Sequence, residues 1–198
     1  MDSRFRLLII PFFLSGVAAL VYQLSWQRLL FVAFGVDIES ITIIVSTFML
    51  GLGVGALLGG QLADRYPGRI IELFAGAEFL IGTFGFFSPK LIAMVGEATI
   101  QSSLPVVATA NFALLLVPTV LMGATLPMLV AFLVVTVRNV GVSIGGLYFV
   151  NTLGAAFGAF VVGMIWLHYF ELDTTIYSAS ALNLAVSVGV LALFRRKA

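Results

Sequence analysis

Long apolar runs separated by short polar breaks fill this chain, and the runs have the length of membrane spans. Crossing ~30 Å of hydrocarbon takes roughly 20 helical residues. Apolar stretches of about that length or longer cover 7–34, 40–63, 70–88, 105–135, 143–168 and 174–194. Unpaired backbone groups are costly in lipid, and no alternation of the kind found in barrels is visible. The pattern therefore predicts an all-α integral membrane protein: six transmembrane helices forming a single domain over residues 1–198. Composition agrees. Hydrophobic residues make up 61% and charged residues 10%, with a mean hydropathy of +1.16; soluble domains carry about 25% charged residues.

The sparse charges orient the helices. Arg4, Arg6, Arg65, Arg69, Arg138, Arg195, Arg196 and Lys197 all fall on one side if the spans alternate. The opposite side holds Lys90 with Asp37, Glu39, Glu97, Glu171 and Asp173. Basic residues are retained in the cytoplasm, so both termini are expected there. The first span, with Gly16, Ala18 and Ala19 after two arginines, also has features of a signal peptide. Its apolar run continues well past any cleavage point, which favours a retained helix. The absence of cysteine excludes disulfides and thiolate chemistry. A net charge of +1 spread over both faces offers no patch for nucleic acid.

The second and fifth spans resemble each other. Residues 48–60 read FMLGLGVGALLGG and residues 151–163 read NTLGAAFGAFVVG, so Leu50, Gly51, Gly55, Ala56 and Gly60 recur as Leu153, Gly154, Gly158, Ala159 and Gly163. Small residues at this spacing are common in packed membrane helices, which is one explanation. The other is duplication. Copies separated by an odd number of spans run in opposite directions, which makes a three-plus-three inverted repeat of the kind used by secondary transporters. Gly51, Gly55 and Gly59 form one ridge without side chains, and Gly154 and Gly158 another; packing is their expected role.

Residues 59–69 read GGQLADRYPGR. With Gly60, Asp64, Arg65, Gly68 and Arg69, this stretch resembles the loop motif between the second and third helices of major facilitator transporters, although Tyr66 and Pro67 lengthen the spacing by one residue. A wider likeness rests on FFLSGVAALVYQLSWQRLL in the first span, AEFLIGTFGFFSP in the third, VPTVLMGATLPML in the fourth and GGLYFVNTLGAAFGAF in the fifth. Together these resemble the membrane half of bacterial spermidine-synthase-like transmembrane proteins, in which a major facilitator-like part is fused to a soluble aminopropyltransferase-like domain. The resemblance implies half of a major facilitator fold, a bacterial inner-membrane location, and a soluble synthase-like partner. The chain reaches Ala198 just after the sixth span. No glycine-rich turn between a strand and a helix is visible, so no cofactor and no catalytic residue is carried over.

Ionisable residues inside a membrane default to functional candidates. From ~1.5 Å of rise per residue, Glu78 lies roughly 13 Å in from the basic side, Asn151 about 12 Å and Asn183 about 16 Å. These three form a candidate intramembrane polar site, suited to a proton-coupled carrier, to a cation, or simply to locking the bundle. Glu72, nearer the interface, is expected to reach water. On the first helix Tyr22 and Trp26 share one face with Ser15, Gln23 and Gln27 share the next, and Arg28 follows. This group could lie against an organic cation; an aromatic and arginine anchor at the outer interface is the favoured alternative. His168 with nearby acids does not make a metal site. Pro118 and Pro127 should kink the fourth span. Residues 89–104, from Pro89 to Leu104, are expected to form the longest loop.

No nucleophile and base pair is apparent. The expectation is therefore a non-enzymatic membrane subunit or anchor, which binds the bilayer and either a protein partner or a second copy. An aminopropyltransferase-like soluble protein is the partner that the resemblance implies. The alternative is a small transporter that dimerises and carries an organic cation or polyamine.

Overall fold

The computed structural model describes residues 3–34, 37–137 and 139–195. They form α1 (Ser3–Phe34), α2 (Asp37–Arg65), α3 (Ile70–Ala98), α4 (Leu104–Val137), α5 (Val140–Val161) and α6 (Leu172–Arg195). A single 3-10 turn, Pro67–Arg69, joins α2 to α3. Beyond Val161, α5 continues through a π turn, Val162–Trp166, and a last helical turn, Leu167–Tyr169. The six helical spans are each long and apolar enough to cross a membrane. Asn139 caps α5, its side-chain oxygen accepting from the Val142 amide at 3.1 Å.

One boundary corrects the sequence reading. α3 does not stop before Pro89 but runs on to Ala98, so the expected loop over 89–104 shrinks to residues 99–103. A proline removes one backbone hydrogen bond. Here Ser88, Pro89 and Ile92 are all buried against neighbouring helices, which hold the helix through the defect. α4 likewise stays helical across Pro118 and Pro127.

The helices pack in pairs: α2 on α4, α1 on α5, and α3 on α6, with α3 also touching α4 and α1 touching α6. Register gives the directions. Gly51, Gly55 and Gly59 meet Thr119, Gly123 and Ala124 in ascending order, so α2 and α4 are parallel. Gly154 and Gly158 meet Phe13 and Val17 in the same way, making α1 and α5 parallel. α6 runs against α3, since Ser180 bonds Gly82 while Ser187 bonds Ala75. These directions fit a chain that reverses at each short connection.

Close approach is the reason for glycine at these places. A Cβ at Gly51 would overlap Thr119, and one at Gly154 would overlap the Phe13 carbonyl. The core between the pairs is divided. One apolar cluster contains Phe5, Leu8, Phe12, Phe74, Leu129 and Val186. A second holds Val21, Trp26, Phe48, Ile81, Leu115 and Ile176. Along α1, α3 and α6 the residues between the two clusters are polar: Ser15, Glu78 and Asn183.

Candidate functional site

Glu78 lies on the inward stripe of α3, with Phe74, Ala75, Ile81, Gly82 and Gly85 buried at helical spacing around it. Its side chain is 0% exposed. Ser15 Oγ on α1 donates to Glu78 Oε1 at 2.6 Å. Asn183 Nδ2 on α6 donates to Glu78 Oε2 at 2.6 Å. One carboxyl group thus ties three helices together. On either side of it, α6 binds α3 again: Ser180 Oγ donates to the Gly82 carbonyl and Ser187 Oγ to the Ala75 carbonyl, both at 2.7 Å.

An aromatic stack closes one side of this seam. The Tyr22 hydroxyl packs where a side chain on Gly85 would stand, beside Ser180. It makes no hydrogen bond of good geometry, and Asn183 Oδ1 has no donor either. Tyr22 stacks on Trp26 with ring centroids 4.8 Å apart. Trp26 Nε1 donates to Ser88 Oγ at 2.8 Å, which donates on to the Gly85 carbonyl at 2.8 Å. Phe48 and Phe84 pack against the indole.

Both partners of Glu78 are neutral, and among the described residues no basic side chain pairs with it. A buried acid in this position can hold a proton or a cation, or can serve as a three-way structural clasp. The geometry contains no nucleophile activated by a base among the described residues.

The other residues singled out from the sequence are distributed as follows. Asn151 is not beside Glu78: its Nδ2 donates to the Phe12 carbonyl at 3.1 Å, which staples α5 to α1. The reason is helix pairing. α5 packs on α1, while α6 occupies the face of α3 that carries Glu78. Tyr22 and Trp26 are fully buried inside the bundle, whereas Gln23 is half-buried and Arg28 exposed. In the loop motif Gly60 is half-buried; Asp64, Arg65, Gly68 and Arg69 are exposed, and the Arg65 guanidinium lies 5.8 Å from the Tyr66 ring centre. Glu72 is exposed, as is His168. Arg138, Arg196 and Lys197 lie outside the described residues. Ser180 and Ser187 were missed, although with Asn183 they form a polar stripe at i, i+3 and i+7 on α6, a signal readable in the sequence.

The chain is 23% identical over 203 residues to a polyamine aminopropyltransferase of Oceanobacillus iheyensis, covering 99% of this chain and 38% of that protein. It is 28% identical over 181 residues to polyamine aminopropyltransferase 1 of Streptomyces coelicolor, covering 82% of this chain and 32% of the relative. The chain thus spans about a third of the length of the curated relatives it matches. No family model matches, and no solved structure does.

These matches correct one expectation. A protein outside enzyme chemistry was expected because the helices carry no nucleophile and base pair. The relatives, however, are named polyamine aminopropyltransferases, so that ground for expecting a protein outside enzyme chemistry does not stand. Reading only the side chains within the spans could not register that.

Proposed function

We propose that this chain forms the membrane-embedded part of a polyamine aminopropyltransferase-type enzyme. In this reading it lies in the bacterial inner membrane with both termini cytoplasmic, and holds an aminopropyltransferase-like soluble unit at that face. The observation that carries the proposal is the extent of the match: nearly the whole chain aligns, yet it fills only about a third of a relative. Exposed Arg6, Arg65 and Arg69 near one end of the bundle support that end as cytoplasmic. The test is to tag the chain in its native membranes, purify it in mild detergent and assay aminopropyl transfer to a diamine. Transfer activity that co-purifies with the tag is expected. Activity confined to the soluble fraction, and unchanged when the chain is deleted, would overturn the proposal.

The same proposal includes a three-plus-three inverted repeat, half of a major facilitator-like fold. Exchanging α1, α2 and α3 with α4, α5 and α6 turns the α2–α4 pair into α5–α1, and α3–α4 into α6–α1. The glycine contacts follow the same exchange: Gly51 on Thr119 and Gly55 on Gly123 answer to Gly154 on Phe13 and Gly158 on Val17. Such a repeat, together with the buried acid, favours a second reading, a dimerising carrier of an organic cation or polyamine. Loss of uptake into proteoliposomes by Glu78→Gln, with assembly intact, would support that reading; unchanged uptake would remove Glu78 from it.

A further inference from the structure

We infer that the cleft between α1, α5 and α6 is a lipid site, which holds an acyl chain of a phospholipid from the leaflet away from Arg6, Arg65 and Arg69. The cleft follows from how its walls are anchored. α5 is drawn onto α1, where Gly154 and Gly158 leave room for the Phe13 and Val17 carbonyls. α6 is fixed to α3 through Ser180, Asn183 and Ser187. The two helices thus answer to different neighbours and hardly touch each other. The angle left between them encloses about 490 Å³, with Val17 and Val21 of α1 as its floor. Ser178, Ala181 and Ala185 on its α6 wall are too short to bridge it.

Under the exchange of halves proposed above, the matching angle lies between α2 and α3 over α4. There Ala63, Ile70, Ala124 and Met128 pack into one cluster. Side chains fill this place in one half, and the other half leaves it open.

Size and chemistry select the occupant. The volume is that of a small-molecule pocket, for which ~300–1,000 Å³ is usual. No titratable side chain lines it, and the Ser178 hydroxyl is committed to the Thr175 carbonyl at 2.7 Å. A charged ligand would find no partner there and would lose its hydration uncompensated. Exposed Phe157 and Ala181 stand at the rim, so the opening faces hydrocarbon. The α5 wall runs from Phe157 to Trp166, roughly 13 Å at ~1.5 Å per residue. That is close to half of the ~30 Å hydrocarbon thickness, the depth of a single leaflet. Trp166 packs on Phe170 beside exposed Tyr169, an aromatic set of the kind found at headgroup level. The glycerol end of the lipid therefore sits by Trp166, and its chain passes down to Phe157 and Ala185.

The test reconstitutes the full chain in phosphatidylcholine with brominated acyl chains, then washes it in lipid-free detergent. Bromine quenches indole emission on contact, and Trp26 is sealed in the bundle, so the signal reports Trp166. Relative to ordinary phosphatidylcholine, washed wild type should stay quenched and carry a phospholipid in native mass spectrometry. Ala181→Phe combined with Ala185→Phe fills the cleft and should lose both. Emission that recovers fully in washed wild type overturns the inference, as does a retained lipid that leaves Trp166 unquenched. A filled variant that holds the lipid as well as wild type overturns it too, and so does a lipid-free dimer. Should the filled variant not assemble, the wild-type readings decide alone. The inference rests on the membrane placement of the spans. Protein that needs detergent for extraction yet retains no lipid would remove the site and leave that placement standing.

Discussion

The parallel helix pairs and the antiparallel crossing of α3 with α6 are held by different means. α2 on α4 and α1 on α5 meet mainly through glycines, and the Asn151 bond to the Phe12 carbonyl adds a single polar staple to the second pair. α3 and α6 meet through side-chain donors: Ser180, Asn183 and Ser187 each bond a group on α3. Lipid supplies no hydrophobic drive between helices, so association rests on close packing or on interhelical hydrogen bonds. The glycine contacts use the first and tolerate no added volume. The polar crossing uses the second, which fixes register by partner and not by shape.

That difference can be broken from the packing side first. Gly55→Leu forces a side chain into the Val120 carbonyl and Gly123. Overpacking of this kind should cost about 3 kcal/mol, read as loss of folded protein in a detergent denaturation series. The polar side should give a smaller response. Glu78→Ala strands the Ser15 and Asn183 donors and should cost about 2 kcal/mol. A double-mutant cycle with Asn183→Ala would show whether the pair couples, and additive losses would argue against a direct bond.

Single edge bonds should matter less still. Ser187→Ala removes one interhelical hydrogen bond to Ala75 and should cost about 0.6 kcal/mol. Gly53 provides the control. A Cβ there meets nothing, so Gly53→Ala should change stability by less than ~0.5 kcal/mol. A Gly53→Ala loss as large as that of Gly55→Leu would mean that glycine acts along α2 through something other than close approach.

Much of this was readable before folding, and the misses have physical causes. Hydrophobic length gave six helices because a span must satisfy its backbone internally whatever its neighbours are. Glu78 stood out as an acid far inside an apolar run, and Asn183 shared its depth. Depth, however, says nothing about azimuth. Asn151 has a similar depth and bonds Phe12 instead, since α5 lies against α1. Tyr22, Trp26 and Arg28 looked like an interfacial group by composition, yet the rotation of α1 buries the two rings and leaves the arginine out. Pro89 read as a stop because local chemistry predicts one; buried neighbours carry α3 past it.

The sequence by itself determined how many times the chain is able to cross a membrane, where its charges collect, and which residues are small enough for backbones to touch. These follow from solvation and side-chain volume, which are properties of each residue in its own segment. Only the tertiary structure decided that Glu78 meets Ser15 and Asn183 while Asn151 turns elsewhere. Which faces of six helices come together depends on packing all of them at once, and a hydrogen bond needs its partner within about 3 Å, a distance no single helix can set.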